Sequence, residues 1–309
     1  MSSSTELSSI SSEEQAYNAV IEFYNEFGRY PDTYSDWNDK RKELGYSTRA
    51  ANFTQNTGQS FGTVKAEVKG EEVYTCEDCG KGFVEIAKHW SQSDCSYPEL
   101  TSREENILKG IAISDGWVAH SDHDRSILHI ESVTKPFLEW VNTEISIIHT
   151  DVKLRRTAEE SYDNAVESGV LDNQDVDNYR NIYRLNTLAH PQIHDMRDLS
   201  VGDIEHSKLQ FKMFYVCDGG VHWNDDFSFL QFTASKSVDE IKHVISVLDD
   251  LGFRSSWNRL DGDGKVIYIH KESVDRFLEW IGEPIEGFEY KWETDDREVY
   301  ESMKGESSW

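Results

Sequence analysis

The sequence is short of cysteine, of positive charge and of long apolar runs, and each shortage excludes something. Four cysteines in 309 residues, three of them within 20 positions, make no disulfide framework. They point to a metal site in a reducing compartment. No apolar run approaches the roughly 18 residues of a membrane-spanning helix, which excludes a helical integral membrane protein. The opening Met1-Ser-Ser-Ser-Thr5 has neither the basic nor the apolar segment of a secretory signal, so a cytoplasmic protein is expected. No glycine loop of the nucleotide-binding kind and no Ser-His-Asp arrangement is present.

What is plentiful is acid. Against 31 Lys+Arg stand 58 Asp+Glu, a formal charge of −27. Hydrophobic residues make up 37% and aromatics 12%, too much for a disordered polyanion. The acid runs along the whole chain rather than in a tail. That pattern fits adaptation to molar salt, where the Debye length is about 3 Å and a distributed negative field reaches almost nothing. Under those conditions an acidic chain can still bind DNA, provided its few cations share one face.

Residues 1–12 hold seven serines without periodicity and read as a disordered lead. Helical spacing from Glu13 onward predicts a small helical region over 13–70, in which Lys40-Arg41-Lys42 is a plausible contact for backbone phosphates or a solvated helix face. Residues 71–98 read as a separate small unit. From Thr101 a pattern of helix, strands, helix, strands begins, and a second one begins near 201. Thr134-Lys-Pro-Phe-Leu-Glu-Trp-Val141 echoes Val274-Asp-Arg-Phe-Leu-Glu-Trp-Ile281, and Asp261-Gly-Asp-Gly264 signals a hairpin turn. An internal duplication of units at 101–200 and 201–290 is expected, with an acidic tail over 291–309.

Cys76-Glu-Asp-Cys79, then nine residues to His89 and five to Cys95, gives a C-x2-C…H-x5-C pattern. Two thiolates from a hairpin and a ligand pair from a following helix complete a tetrahedral, closed, structural Zn²⁺ site. Cys79-Gly-Lys-Gly-Phe83 resembles the knuckle of C2H2-type zinc fingers, with Phe83 in the small core. Lys81 and Lys88 make an auxiliary DNA contact conceivable. His120, His123 and Asp124, and the pair His190 and His194, have metal-compatible spacing but read more simply as loop histidines near turns.

Each duplicated unit opens with an apolar helix closing in Asp-Gly. The first is Ile107-Leu-Lys-Gly-Ile-Ala-Ile-Ser-Asp115-Gly116; the second is Phe211-Lys-Met-Phe-Tyr-Val-Cys-Asp218-Gly219. Glycine there suits a left-handed residue after the helix. A carboxylate at the negative end of a helix dipole is unfavourable alone and favourable beside a divalent cation. Two such helices side by side would make a hard-oxygen site suited to Mg²⁺.

These segments resemble the two LAGLIDADG motifs of single-chain homing endonucleases. Residues 108–116 match at the Leu, Gly, Asp and Gly; residues 211–219 match at the closing Asp-Gly and in apolar character. Leu185-Asn-Thr-Leu-Ala-His-Pro191 also resembles a segment of archaeal members, which with the charge suggests a haloarchaeal type. The resemblance covers about 101–285. It implies an α+β fold of two tandem αββαββα units forming a saddle over DNA, preceded here by the helical region and the finger. It further implies a monomer with internal pseudo-two-fold symmetry, its motif helices at the interface, and Asp115 and Asp218 as the catalytic Mg²⁺ ligands. Gly110 and Ser114 are small but Met213 and Cys217 are larger, so the interface must be asymmetric. The strand cations Lys153, Arg155, Arg180, Arg184, Arg254, Arg259, Lys265 and Lys271 would line the DNA face. Arg155 or Arg184 in the first half, and Arg259 or Lys265 in the second, are candidates to steady the reaction's charge.

The expected activity is site-specific cleavage of double-stranded DNA. Two alternatives use the same chain differently: a non-catalytic DNA- or RNA-binding relative such as a maturase or regulator, and a zinc-stabilised protein-interaction scaffold. They part on whether the two carboxylates meet at the base of a basic sheet surface.

Overall fold

A computed structural model describes residues 7–71, 73–119, 124–145, 151–168, 179–224, 227–234, 237–259 and 264–306. The chain divides into two compact units, Met1–Pro98 and Glu99–Trp309.

In the first unit four helices pack on an aromatic core: α1 (Glu13–Phe27), α2 (Tyr34–Lys40), α3 (Phe53–Thr57) and α4 (Phe61–Lys69). Phe23, Trp37, Phe53 and Phe61 are buried there, with ring centroids 5.1–6.0 Å apart in contacting pairs. Two expectations are corrected. The described part of the serine-rich lead is ordered: Ile10 is fully buried in this core, and Ser8 N–H donates to Gly45 O at 2.7 Å. The 71–98 segment does not stand apart either. Its hairpin, β1 (Tyr74–Thr75) and β2 (Gly82–Phe83), leans on α4, where Thr63 Oγ1 donates to Gly82 O at 2.8 Å, and α5 (Ile86–Gln92) follows. The small metal-type segment borrows the helical core because it has too few apolar residues for its own.

The second unit is the duplication. Its first half runs α6 (Ser102–Ala112), β3 (Trp117–Val118), β4 (Leu128–Ser132), α7 (Lys135–Glu144), β5 (Lys153–Arg156), α8 (Ala158–Glu167), β6 (Ile182–Asn186) and α9 (Pro191–Asp195). The second runs α10 (Lys208–Asp218), β7 (Gly219–Asn224), β8 (Phe227–Ala234), α11 (Val238–Asp250), β9 (Ser255–Arg259), β10 (Lys265–Ile269) and α12 (Lys271–Ile281). Both sheets are antiparallel and share one order, β3-β4-β6-β5 and β7-β8-β10-β9. The α6 start is fixed by a capping box between Thr101 and Glu104, as its sequence pattern requires.

The phrase echo is not part of the duplication. Residues 134–141 belong to α7, between the two strand pairs, whereas 274–281 belong to α12, after them. Each helix buries its Phe and Leu, Phe137 and Leu138 or Phe277 and Leu278, against its own sheet. The likeness records one amphipathic solution used twice. The segment after 290 is no tail. A 3₁₀ turn at Glu289–Trp292 and helix α13 (Arg297–Glu306) fold onto the second half, burying Lys291 and Tyr300. The Asp261–Gly264 turn falls on residues of which only Gly264 is described. Among the described residues no helix is long and apolar enough to cross a membrane.

Candidate two-carboxylate centre and sheet surfaces

The motif helices α6 and α10 pack against each other along their lengths. Contact is closest at Gly110, where an added Cβ would lie 2.7 Å from Met213 Cβ and 2.9 Å from Gln210 Cα. Gly110 on one helix therefore makes the room that Met213 fills on the other. The interface is asymmetric in this sense, and both halves still approach closely. Met213 and Val216 of α10 enter the core of the first half, while Ile113 enters that of the second. Gln210, fully enclosed, donates across the interface to Asn106 Oδ1 at 2.8 Å.

Neither Gly116 nor Gly219 adopts the left-handed backbone expected of it. They are required by crowding. A Cβ on Gly116 would sit 2.7 Å from Ile111 O, and one on Gly219 would sit 2.2 Å from Tyr215 Cδ2. The chain turns so sharply from helix into strand that only hydrogen fits.

The turn sets Asp115 at the α6 end and Asp218 at the α10 end. The cation buried beside the α10 end is one that the sequence pattern places in the tail. Lys291 is 6% exposed, and its Nζ donates to Val216 O at 2.6 Å and Gly219 O at 2.7 Å. Its own carbonyl accepts from Tyr215 Oη at 2.5 Å, which fixes the backbone from which the side chain reaches. The ammonium interacts electrostatically with Asp115, Asp218 and the Cys217 thiol together. One signal in the sequence marks it: a lone cation inside the aromatic run Phe288-Glu-Tyr-Lys-Trp292.

Burial dominates at Lys291, Asp115 and Cys217. It pulls the Lys291 ammonium down to about 8 despite the attraction of Cys217, Asp115 and Asp218. Burial also raises the Asp115 carboxyl, and Lys291 offsets this only in part. The Cys217 thiol is pushed up to about 12, chiefly by burial and further by the two aspartates. An isolated ion pair would move Asp down and Lys up. Both groups move the other way, so desolvation outweighs their mutual attraction. Asp115 keeps solvent contact at its surface, since it borders a cleft of about 370 Å³ that Glu131, Ser132, Cys217, Tyr290 and Lys291 also line. Two carboxylates and one ammonium give a formal balance of −1. That donor set, with carboxylate oxygens beside helix carbonyls, suits a further hard cation.

Glu131, which lines the cleft, belongs to the outer face of the first sheet. Strand alternation puts Leu128, Ile130 and Leu185 in the core and His129, Glu131, Arg184 and Asn186 on the opposite face. Glu131, Arg184 and Lys153 stand in one cross-strand row, and Arg184 Nε donates to Glu131 Oε1 at 2.7 Å. Arg155 lies 3.7 Å from the same carboxylate. Arg180, just before β6, donates to Tyr179 O.

The second sheet differs. Arg259 and Lys265 oppose each other, but share strand parity with Trp257 and Ile267, on the helix-covered face. They do not join an outer-face row as expected. Arg254 precedes β9 and pairs with Glu272, while Lys271 opens α12 and lies 5.4 Å over the Phe227 ring. The outer face here carries His222, Phe229, Gln231, Tyr268 and Ser256, with aromatic neighbours 5.6–5.9 Å apart. Among the described strand residues of that face there is no Lys or Arg.

In the first unit Cys76, Cys79, His89 and Cys95 bring their ligand atoms within 4.8 Å of one another. A tetrahedron of about 2.3 Å metal–sulfur bonds has edges of about 3.8 Å, so the group needs only a small contraction to hold a metal ion. The hairpin presents the first two ligands around Gly80, whose φ is 68°. Phe83 stacks on the His89 ring at 3.8 Å and is half-buried, rather than enclosed in a small core as expected. Burial alone would raise the Cys76 thiol, but donors from Cys79, Asp78 and Trp90 hold it below its usual value. Lys88 pairs with Glu85. The Lys40-Arg41-Lys42 cluster is not one cationic face: Arg41 is buried and donates to Tyr46 O, and Lys40 pairs with Glu43. His190 caps α9 from a buried position and His194 contacts Ser126, so this pair is structural. His120 and His123 lie outside the described residues.

No protein-family model and no curated protein matches this sequence. Solved structures do match in fold. The homing endonuclease I-WcaI bound to its DNA recognition sequence superposes with a TM-score of 0.51 at 14% identity, covering 67% of this chain and 91% of that one. I-DmoI in complex with DNA and Mn matches at a TM-score of 0.37 and 13% identity, over 58% of this chain and 96% of that one. Full-length DUF199/WhiA from Thermatoga maritima matches at 0.38 and 10%, over 72% and 65% respectively. With its two identically ordered sheets and paired motif helices, the second unit has the α+β LAGLIDADG homing-endonuclease fold.

Proposed function

We propose that this protein is a site-specific endonuclease of double-stranded DNA, acting as a monomer with internal pseudo-two-fold symmetry. One observation carries the reading: α6 and α10 pack side by side with Asp115 and Asp218 at their ends, and Asp115 lines one cleft with Lys291, whose Nζ donates to Val216 O and Gly219 O on either side of Asp218. The I-WcaI structure, solved on DNA with the same fold, supports the choice of substrate. Asp115 and Asp218 would hold Mg²⁺, which activates a water on one side of the phosphodiester and stabilises the leaving 3′-oxygen on the other. Lys291 keeps the two carboxylates from repelling each other apart. Lys153, Arg155 and Arg184 bind the backbone of one half-site, and the aromatic, neutral face of the second sheet packs on the other. Glu131 holds Arg155 and Arg184 in place until phosphates replace it. Cys76, Cys79, His89 and Cys95 hold a structural Zn²⁺, and the acidic surface reflects a halophilic, cytoplasmic setting.

The test is selection of cut ends from a random duplex library in Mg²⁺ and molar KCl, with Asp218→Asn alongside. Discrete cut sites that vanish in the variant establish the activity. Lys291 also favours a second reading, DNA binding without cleavage, because it already neutralises part of the centre. Recovery of bound but uncut sites with both proteins would decide for that reading.

A further inference from the structure

The last four carbonyls of a helix have no partner within it, and in most helices water or a cap satisfies them. At α6 they are satisfied locally: Gly116 N–H donates to Ile111 O at 2.8 Å, and Ser114 Oγ donates to Gly110 O at 2.8 Å. At α10 one of them is not left to water. A lysine 75 residues on reaches Val216 O, and Gly219 O just beyond the helix also receives it. Carbonyls converging with carboxylates are what a hard cation seeks, and the group in that position is Lys291 Nζ. Its place is fixed from both ends. Tyr215 Oη holds its carbonyl, and Nζ lies 5.0 Å over the Phe288 ring. The lysine is therefore built into the centre and cannot be an exposed side chain that happens to reach it.

We propose that Lys291 is a resident counter-cation of the two-carboxylate centre, holding Asp115, Asp218 and the α10 carbonyls together with no divalent ion bound. This deepens the endonuclease reading by assigning a cation to its centre, but it can be tested on a protein that never cuts DNA. It has a consequence. The wild-type fold does not need a divalent ion at this centre, and an ion that binds there does so beside the ammonium, on the Asp115 side of the cleft.

The experiment is thermal unfolding and calorimetric Ca²⁺ binding on the full chain, without DNA and without chelator, so that the cysteine site is undisturbed. For the wild type, the transition of the second unit should not move as CaCl₂ is raised to millimolar levels. Lys291→Met should lower it by on the order of 10 °C without Ca²⁺, because two neighbouring carboxylates lose their counter-charge and Val216 O and Gly219 O lose their donor. Ca²⁺ should restore most of that loss, and should bind the variant at least about tenfold more tightly than wild type. Adding Asp115→Asn and Asp218→Asn to Lys291→Met should relieve the loss. An equal deficit with and without Ca²⁺, deepened by the Asn substitutions, would show that Lys291 only caps carbonyls and would overturn the proposal. If Lys291→Met does not fold, the Asp115→Asn/Asp218→Asn pair with Lys291 retained decides. A lower transition is expected, since the ammonium is left uncompensated; an unchanged or higher one overturns the proposal.

Discussion

The two halves of the second unit share topology and strand order but treat charge in opposite ways. The first half satisfies its motif helix locally and puts its cations on the outer sheet face, ordered by Glu131. The second half leaves that face neutral and aromatic, and instead buries a cation, Lys291, at the end of its motif helix. A duplicated backbone therefore does not imply a duplicated site. Topology is set by which faces must be buried, and that requirement is the same in both halves. Charge on the exposed faces is under no such constraint and is free to diverge.

The comparison can be broken or sharpened in several ways. The largest effect is expected at the shared feature. Asp218→Asn should reduce cleavage of at least one strand by more than the roughly 10–100-fold that loss of an outer-shell partner costs, with DNA affinity changed only a few-fold. Strand-resolved gels and a gel-shift titration measure both; unchanged cleavage would remove Asp218 from the chemistry. Next comes packing. Gly219→Ala puts a methyl into Tyr215, and Gly110→Ala puts one against Met213 and the Gln210 backbone. Each should cost about 1–3 kcal/mol of unfolding free energy, read by denaturant titration. If either variant matches wild type, the close approach of helix to strand or helix to helix is wrong.

Salt probes the whole surface. With −27 overall, folding and cleavage should both improve from about 0.1 M toward molar KCl, because screening removes self-repulsion and repulsion of DNA. Circular dichroism and cleavage rate across a KCl series test this, and a steady fall in both would end the halophilic reading. Metal removal should act on one unit only. Chelation, or Cys76→Ser, should loosen 71–98 and the α4 surface that receives it, while the transition of the 99–309 unit keeps its midpoint. Amide exchange resolved by segment reads the difference. The smallest effect separates the sheets. Lys153→Ala should weaken DNA binding and lower the salt slope by about one phosphate contact, whereas Arg259→Ala should leave both nearly unchanged. Equal losses would place Arg259 on the DNA face after all.

Much of the architecture was legible from the chain. Alternation and helical spacing showed the repeated order of helices and strands in the second unit, because each must bury one face and the period reveals which. The Cys-x2-Cys…His-x5-Cys spacing located a group whose atoms do converge, since the ligands are close in sequence and a hairpin and short helix suffice to gather them. The two Asp-Gly helix ends were legible for the same reason. The role of their glycines was not. Their φ values are unremarkable, and the crowding by Tyr215 and Ile111 exists only once helix and strand are packed.

Sequence alone determined the duplication, the helix ends and the metal-type cluster, because local pattern and short-range spacing encode them. Tertiary structure alone decided that residues after 290 fold back onto α10, that Ile10 enters the aromatic core of the first unit, and that Arg259 and Lys265 fall on the strand parity of Trp257 and Ile267. It also decided that a cation from beyond residue 290 is buried at the end of α10. A lysine within an aromatic run is a surface residue or a buried counter-charge according to what folds over it. Lys291 is the latter because the Tyr215 hydroxyl and the carbonyls of α10, some 75 residues earlier, are brought against it.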